Sequence, residues 1–201
     1  MSVVDQINRF ARRVPSWALY ILYLLPVPYL LYLAQTGGLG REPIKALEHE
    51  LGEIALQLLI ISLTITPLRR YLGLNLLKFR RAFGLLAFIY VTLHLLVWLV
   101  LDVGIPSQIW ADIVKRPYIT IGMGAFVLLL PLAVTSNNYA VRRLGAGWRK
   151  LHRLAYVVVI LGGVHYIMLT KTWALEPMVY MAVILGLLLL RLPKARSKQA
   201  A

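Results

Sequence analysis

The sequence predicts an all-α membrane protein, a six-transmembrane-helix bundle with both termini in the cytoplasm (N-in/C-in). Three observations carry that expectation. Of 201 residues, 60% are hydrophobic and the mean hydropathy is +0.72, too apolar for an ordinary soluble domain. Several apolar runs reach the roughly 20 residues a helix needs to cross a hydrocarbon core of ~30 Å. Basic residues gather in short clusters between those runs, as membrane topology requires. The formal charge of +14 is therefore not a nucleic-acid signature.

Residues 1–15 form a cytoplasmic N-terminal segment with Arg9, Arg12 and Arg13. The run from Ser16 to Ala34 is long for a signal-peptide core and lacks a clean small-residue cleavage pattern, so it reads as the first span, bent by Pro26 and Pro28. The second span covers Leu47 to Thr66, with Glu48, His49, Glu50 and Glu53 at its entrance. The third covers Ala82 to Leu101, uncharged inside and holding His94. The fourth is Pro117 to Thr135, with proline suited to its first turn. The fifth is Leu151 to Leu169, overlapping the stretch Trp148 to Tyr166, which reads as one unbroken transmembrane helix, and the sixth spans Glu176 to Leu192. Residues 16–192 thus make one transmembrane domain, and 193–201 a basic tail.

With the N-terminus inside, seventeen basic residues face the cytoplasm: Arg9, Arg12, Arg13; Arg69, Arg70, Lys78, Arg80, Arg81; Arg142, Arg143, Arg149, Lys150, Arg153; Arg191, Lys194, Arg196 and Lys198. Only five, Arg41, Lys45, Lys115, Arg116 and Lys171, face outward, and of the acids only Asp5 lies inside. No internal repeat is evident.

The chemistry points to histidine. Imidazole within lipid-spanning sequence is rare and marks a functional site by default. His94 lies twelve residues past Ala82 and His165 fourteen past Leu151, on two outward-running spans. Both therefore sit ~18–21 Å from the cytoplasmic ends, at one depth. Two neutral imidazoles at one level on different helices can take the axial positions of one haem. The competing reading is two core histidines bonded to backbone or hydroxyl groups. The chain has no cysteine, which excludes disulfides, iron–sulfur clusters, thiolate haem and covalent haem attachment, so any haem is non-covalent and held by histidine or another non-thiol ligand.

His152 lies about 20 Å from His165 along the helix and, by ideal geometry, about 140° away around it. It suits a second haem, a flavin phosphate, a quinone headgroup or a plain interfacial role. Gly162-Gly163 offers a local bulge or a close cofactor approach. Where a ligand matching His152 would lie on the third span stand Arg80 and Arg81, partners for phosphate or propionate. His49, shallower and among acids, is a third candidate for the same iron, behind a surface acid–histidine cluster facing a partner or proton path and a plain solvated helix end. Gly145-Ala146-Gly147 lacks the third glycine of a dinucleotide fingerprint, and no zinc motif, P-loop or nucleophile–base pair occurs.

Several stretches in order and spacing resemble a known family: GGLGREP (37–43), ITPLRR (65–70), RRAFGL (80–85), TLHL around His94, KRPYITIG (115–122), LHRLAY (151–156) and HY at 165–166. They are similar to MsrQ, the haem-binding membrane subunit of the bacterial periplasmic methionine-sulfoxide reductase system, within the ferric-reductase-like transmembrane superfamily. The resemblance implies b-type haem, one or two, a bound FMN, and electrons drawn from the membrane quinone pool. It implies delivery to a periplasmic molybdenum-containing reductase that repairs methionine sulfoxide in proteins, from the bacterial inner membrane. By position His94 and His165 match the outer haem ligands and His152 a third haem-associated histidine, whereas Arg80 stands where larger relatives have histidine. No motif marks the FMN site; Arg69, Arg70, Arg80, Arg81 and Arg149 can receive its phosphate. The chain itself is expected to be an electron-transfer subunit without a substrate-reducing domain. The rival functions are a stand-alone transmembrane ferric or metal reductase and a non-redox transporter or scaffold.

Overall fold

The structure, a computed structural model, describes residues 2–170 and 174–191 and is helical throughout, with no strand among the described residues. Helix α1 (Val3–Arg13) is one the sequence reading did not assign. Ser2 caps it by accepting from the Asp5 N–H while the Asp5 carboxylate accepts from the Ser2 N–H. Val3, Ile7 and Phe10 leave an exposed apolar stripe beside Arg9, Arg12 and Arg13, the pattern of a helix lying in a membrane interface.

The first apolar run is broken where proline demands it, into α2 (Trp17–Leu24) and α3 (Pro26–Thr36), with Pro26 opening the second piece. Helix α4 (Pro43–Leu72) is thirty residues long and starts before the expected span. Glu48, Glu50 and Glu53 therefore lie inside a helix, not at its mouth. It ends at Gly73, whose φ of 71° is one a side chain resists. A 3₁₀ turn (Leu77–Phe79) leads into α5 (Arg80–Leu96), which continues as a π-helical segment, Val97–Val103, directly after His94.

Short α6 (Pro106–Lys115) leaves Trp110 and Val114 exposed on one face, again an interfacial pattern. Then come α7 (Pro117–Val134), α8 (Asn138–Leu144, capped by the Asn137 side chain), α9 (Ala146–Leu151), α10 (Leu154–Leu169) and α11 (Leu175–Leu189). The unbroken helix expected from Trp148 to Tyr166 is corrected here. The chain turns at His152 and Arg153, between α9 and α10, so ideal-helix azimuths do not relate His152 to His165.

Among the described residues five helical runs are long and apolar enough to cross a membrane: Trp17–Thr36, Pro43–Leu72, Leu77–Val103, Pro117–Val134 and Ala146–Leu169. The sixth expected span corresponds to α11, which at fifteen residues is a shorter apolar helix of ~22 Å. Leu192, the tail with Lys194, Arg196 and Lys198, and Lys171 lie outside the described residues.

Two helix pairs dominate the packing, α4 with α5 and α7 with α10, and α11 packs on α10 and α4. Leu58, Leu86, Ala87, Tyr90, Val159 and Ile184 are fully buried between them. Tyr90 ties α5 to the first run by donating its hydroxyl to the Tyr23 carbonyl. Gly162 and Gly163 form no bulge. A side chain at Gly163 would meet Met181 and Ile184 of α11, and one at Gly162 would meet Leu56 of α4, so these glycines let helices approach closely. One end of the bundle collects the basic clusters. Lys78 there donates to the carbonyls of Arg12 and Val14, Arg81 to Asn138, and Arg191 to Tyr156 and the Leu63 carbonyl.

Candidate functional site

His94 leaves α5 toward α4, and His165 leaves α10 toward α7. The two rings meet between the helix pairs with centroids 6.2 Å apart and planes at 84°. Each ring is held the same way. His94 Nδ1 donates to the Glu48 carbonyl at 2.8 Å, and His165 Nδ1 donates to the Tyr118 carbonyl at 2.7 Å. Such a bond requires the imidazole to lie against the backbone of the neighbouring helix, and in both cases a glycine four residues past the carbonyl makes the room. A Cβ at Gly52 would stand 3.0 Å from His94 Nδ1, and one at Gly122 would stand 2.8 Å from His165 Nδ1.

The competing reading of two backbone-bonded core histidines is thus met at Nδ1 and only there. Putting the proton on Nδ1 leaves each Nε2 as a lone-pair acceptor, and neither Nε2 has a hydrogen-bond partner among the described residues. A metal–imidazole bond of about 2.0–2.1 Å, with each centroid about 1.1 Å behind its nitrogen, sets two rings on opposite sides of one metal about 6.3 Å apart. The observed 6.2 Å matches that spacing. No group of three or more His, Asp, Glu or Cys side chains stands together to hold a metal among the described residues. A metal at this position takes two protein nitrogens and its remaining ligands from elsewhere, as in a porphyrin.

His152 is built differently. The Trp148 ring stacks on it at 3.9 Å and 24°, and the Trp148 indole N–H donates to the Thr135 carbonyl. His152 Nε2 lies 3.0 Å from Thr135 Oγ1. That hydroxyl already gives its proton to the Pro131 carbonyl, so it accepts from His152, whose proton must sit on Nε2. The nitrogen left open is Nδ1, the reverse of the pair above. Arg80 and Arg81 are close enough for their charges to act on this ring. Arg80 is half-buried, Arg149 is exposed, and neither makes a hydrogen bond with the described residues, whereas Arg81 donates to Asn138 at 2.8 Å. Arg69 and Arg70 close the last turn of α4 at the same end.

His49 is exposed and makes no hydrogen bond among the described residues. At that end Glu42 pairs with Lys45 and Asp112 with Arg116, the two ion pairs among the described residues. The carbonyl and glycine supports were missed from sequence. Their signal was present in the nearly equal spacing of Gly52 to His94 and Gly122 to His165.

Residues 51–163, which hold His94 and His152 and end two residues before His165, match the ferric reductase like transmembrane component family. The chain is 47% identical over 186 residues to the "Protein-methionine-sulfoxide reductase heme-binding subunit MsrQ" of Brucella anthropi, covering 91% of this chain and 84% of that protein. It is 46% identical over 195 residues to the proteins of the same name from Brucella ovis and Brucella melitensis, covering 94% of this chain and 89% of each. No solved structure matches. With a transmembrane core matched across both helix pairs and similarity running nearly end to end, the chain belongs to the MsrQ family of ferric-reductase-like transmembrane proteins.

Proposed function

We propose that this chain is a haem b electron-transfer subunit of a protein-methionine-sulfoxide reductase system. The relationship between His94 and His165 carries the reading, because two rings with centroids 6.2 Å apart, each with Nδ1 spent on a carbonyl and Nε2 unspent, can together hold one haem iron. The family's printed name for its members, heme-binding subunit, supports the same assignment. Bound there, haem supplies one-electron redox chemistry. The protein's part is to ligate through His94 and His165, to hold each Nδ1 proton on a backbone carbonyl, and to surround the pair with apolar helices.

The finer reading follows the sequence. Residues 16–192 make a six-span domain in the bacterial inner membrane, with residues 1–15 and 193–201 cytoplasmic. FMN binds at the basic end, where Arg69, Arg70, Arg80, Arg81 and Arg149 receive its phosphate. Arginine forks of this kind are the side chains that take a phosphate bidentately. His152 offers Nδ1 to a second haem or to the flavin. Electrons enter from membrane quinol and leave to a periplasmic molybdenum-containing reductase, oriented by outward acids such as Asp102, Asp112, Glu42 and Glu176.

Haem and flavin quantitation of the purified protein, with a redox titration, tests this. A Soret band with at least one haem per chain is expected. Its absence after haem supply during expression rejects the carrier function in favour of a transporter or scaffold.

A further inference from the structure

A polar triad stands one residue past Gly52, on a different face of α4. Tyr180 of α11 donates its hydroxyl to Glu53 Oε1 at 2.8 Å. Gln57 Nε2 donates to the same oxygen at 2.9 Å and to the Tyr180 oxygen at 2.8 Å. The triangle spends every side-chain donor in it. Two acceptors, Glu53 Oε2 and Gln57 Oε1, have no hydrogen-bond partner among the described residues.

Gln57 and Tyr180 also form the polar part of a cleft of about 330 Å³ between α4 and α11, otherwise walled by Ile60, Ile61, Val179 and Val183. Gln57 and Val179 are exposed, so the cleft opens on the outside of the bundle, where a membrane helix meets lipid. A simple tie between α4 and α11 would need no unspent acceptors there. Polar groups facing hydrocarbon without a partner are costly, and an ionisable one marks a functional site by default.

We propose that this cleft binds the hydroquinone head of a lipid-soluble quinol, its apolar tail lying along Ile60, Ile61 and Val183. The inference rests on the reading that the chain draws electrons from membrane quinol, and it gives that donor a place. Gln57 lines the cleft and its unspent group, Oε1, is an acceptor, so it suits a hydroxyl of a quinol and not a carbonyl of the oxidised quinone, while Glu53 holds Gln57 and Tyr180 in place. The site thus favours the reduced form and releases the oxidised one. It is linked to the helix that carries His165. The Tyr180 ring meets that of Tyr166 edge-on at 5.7 Å, and Tyr166 directly follows His165 in α10.

The test uses the full chain in lipid nanodiscs with a photoreactive azido-ubiquinol, and decyl-ubiquinol or decyl-ubiquinone as competitor. Label is expected on peptides spanning 57–61 and 179–183, displaced about tenfold better by the quinol than by the quinone, the ratio expected from one hydrogen bond. Gln57→Leu and Glu53→Gln each lower labelling about tenfold on the same basis. Val183→Trp abolishes it by filling the cleft from its exposed side while leaving the triad intact. Label elsewhere, quinone displacing as well as quinol, or variants that label like the parent overturn the proposal. Absorption of the same samples keeps the two ideas apart. A labelled cleft in a protein without a Soret band overturns the haem function alone. A full Soret band reduced by decyl-ubiquinol with an unlabelled cleft overturns this site alone.

Discussion

His94 and His165 meet between the two main helix pairs with ring centroids 6.2 Å apart and planes 84° from parallel. Each is held through Nδ1 by a carbonyl of the helix packed against its own. Nearly perpendicular axial imidazoles leave the two iron orbitals they address almost equal in energy. The ferric protein is therefore expected to give a broad, strongly anisotropic low-spin electron paramagnetic resonance signal. A conventional rhombic low-spin signal would mean that the rings lie nearly parallel.

His94→Ala and His165→Ala are each expected to abolish the outer haem, since each removes one of two axial nitrogens. His49→Ala, altering an exposed ring, should leave the spectrum nearly intact. Absorption spectra of the three purified variants check this, and equal haem retention in all three contradicts the ligand assignment.

Gly52→Ala and Gly122→Ala add a methyl group at 3.0 and 2.8 Å from the Nδ1 atoms, which presses the His94 ring by a few tenths of an ångström and makes the His165 ring shift, weakening each bond to its carbonyl. Losing such a support around a metal ligand typically costs about 10–100-fold in metal affinity, with Gly122→Ala the more severe of the two. Gly124→Ala is the control, because nothing lies within 4 Å of its Cβ position. Haem loss to apomyoglobin, followed at the Soret band, separates the three. A Gly122→Ala protein that keeps haem as long as Gly124→Ala would show that the close approach is unimportant.

Thr135→Val removes the acceptor for the His152 Nε2–H. An unpaired donor of this kind costs about 1–3 kcal/mol, read as a lower thermal midpoint. Thr135→Ser, which keeps the hydroxyl, should restore most of that loss. Because Trp148 stacks on the same ring, its fluorescence should change in the valine variant and not in the serine one.

Arg80→Ala is expected to release flavin from the purified protein while the outer haem spectrum holds, since Arg80 lies at the basic end beside His152 and not beside the pair. Flavin and haem measured on one sample decide it. Parallel loss of both would mean that Arg80 supports the fold.

The order of apolar runs, the proline break at Pro26 and the side on which each basic cluster falls were legible because hydrophobic length, proline sterics and charge are local properties of the chain. The level of His94 and His165 was legible too, since a fixed rise per residue turns sequence distance into depth. Their facing was not. Whether two rings at one level point at each other depends on how α4 packs on α5 and α7 on α10, which no single segment encodes. The same holds for the turn at His152, where a continuous helix seemed required by an apolar run that in fact starts only at Leu154. It holds for the glycines as well, whose meaning lies in the helix each one admits: Gly52 and Gly122 receive an imidazole, Gly163 receives Met181. Sequence alone determined which two histidines share a level on different helices. Tertiary packing decided which nitrogen of each histidine is left open, because that depends on a carbonyl or hydroxyl brought in from another part of the chain.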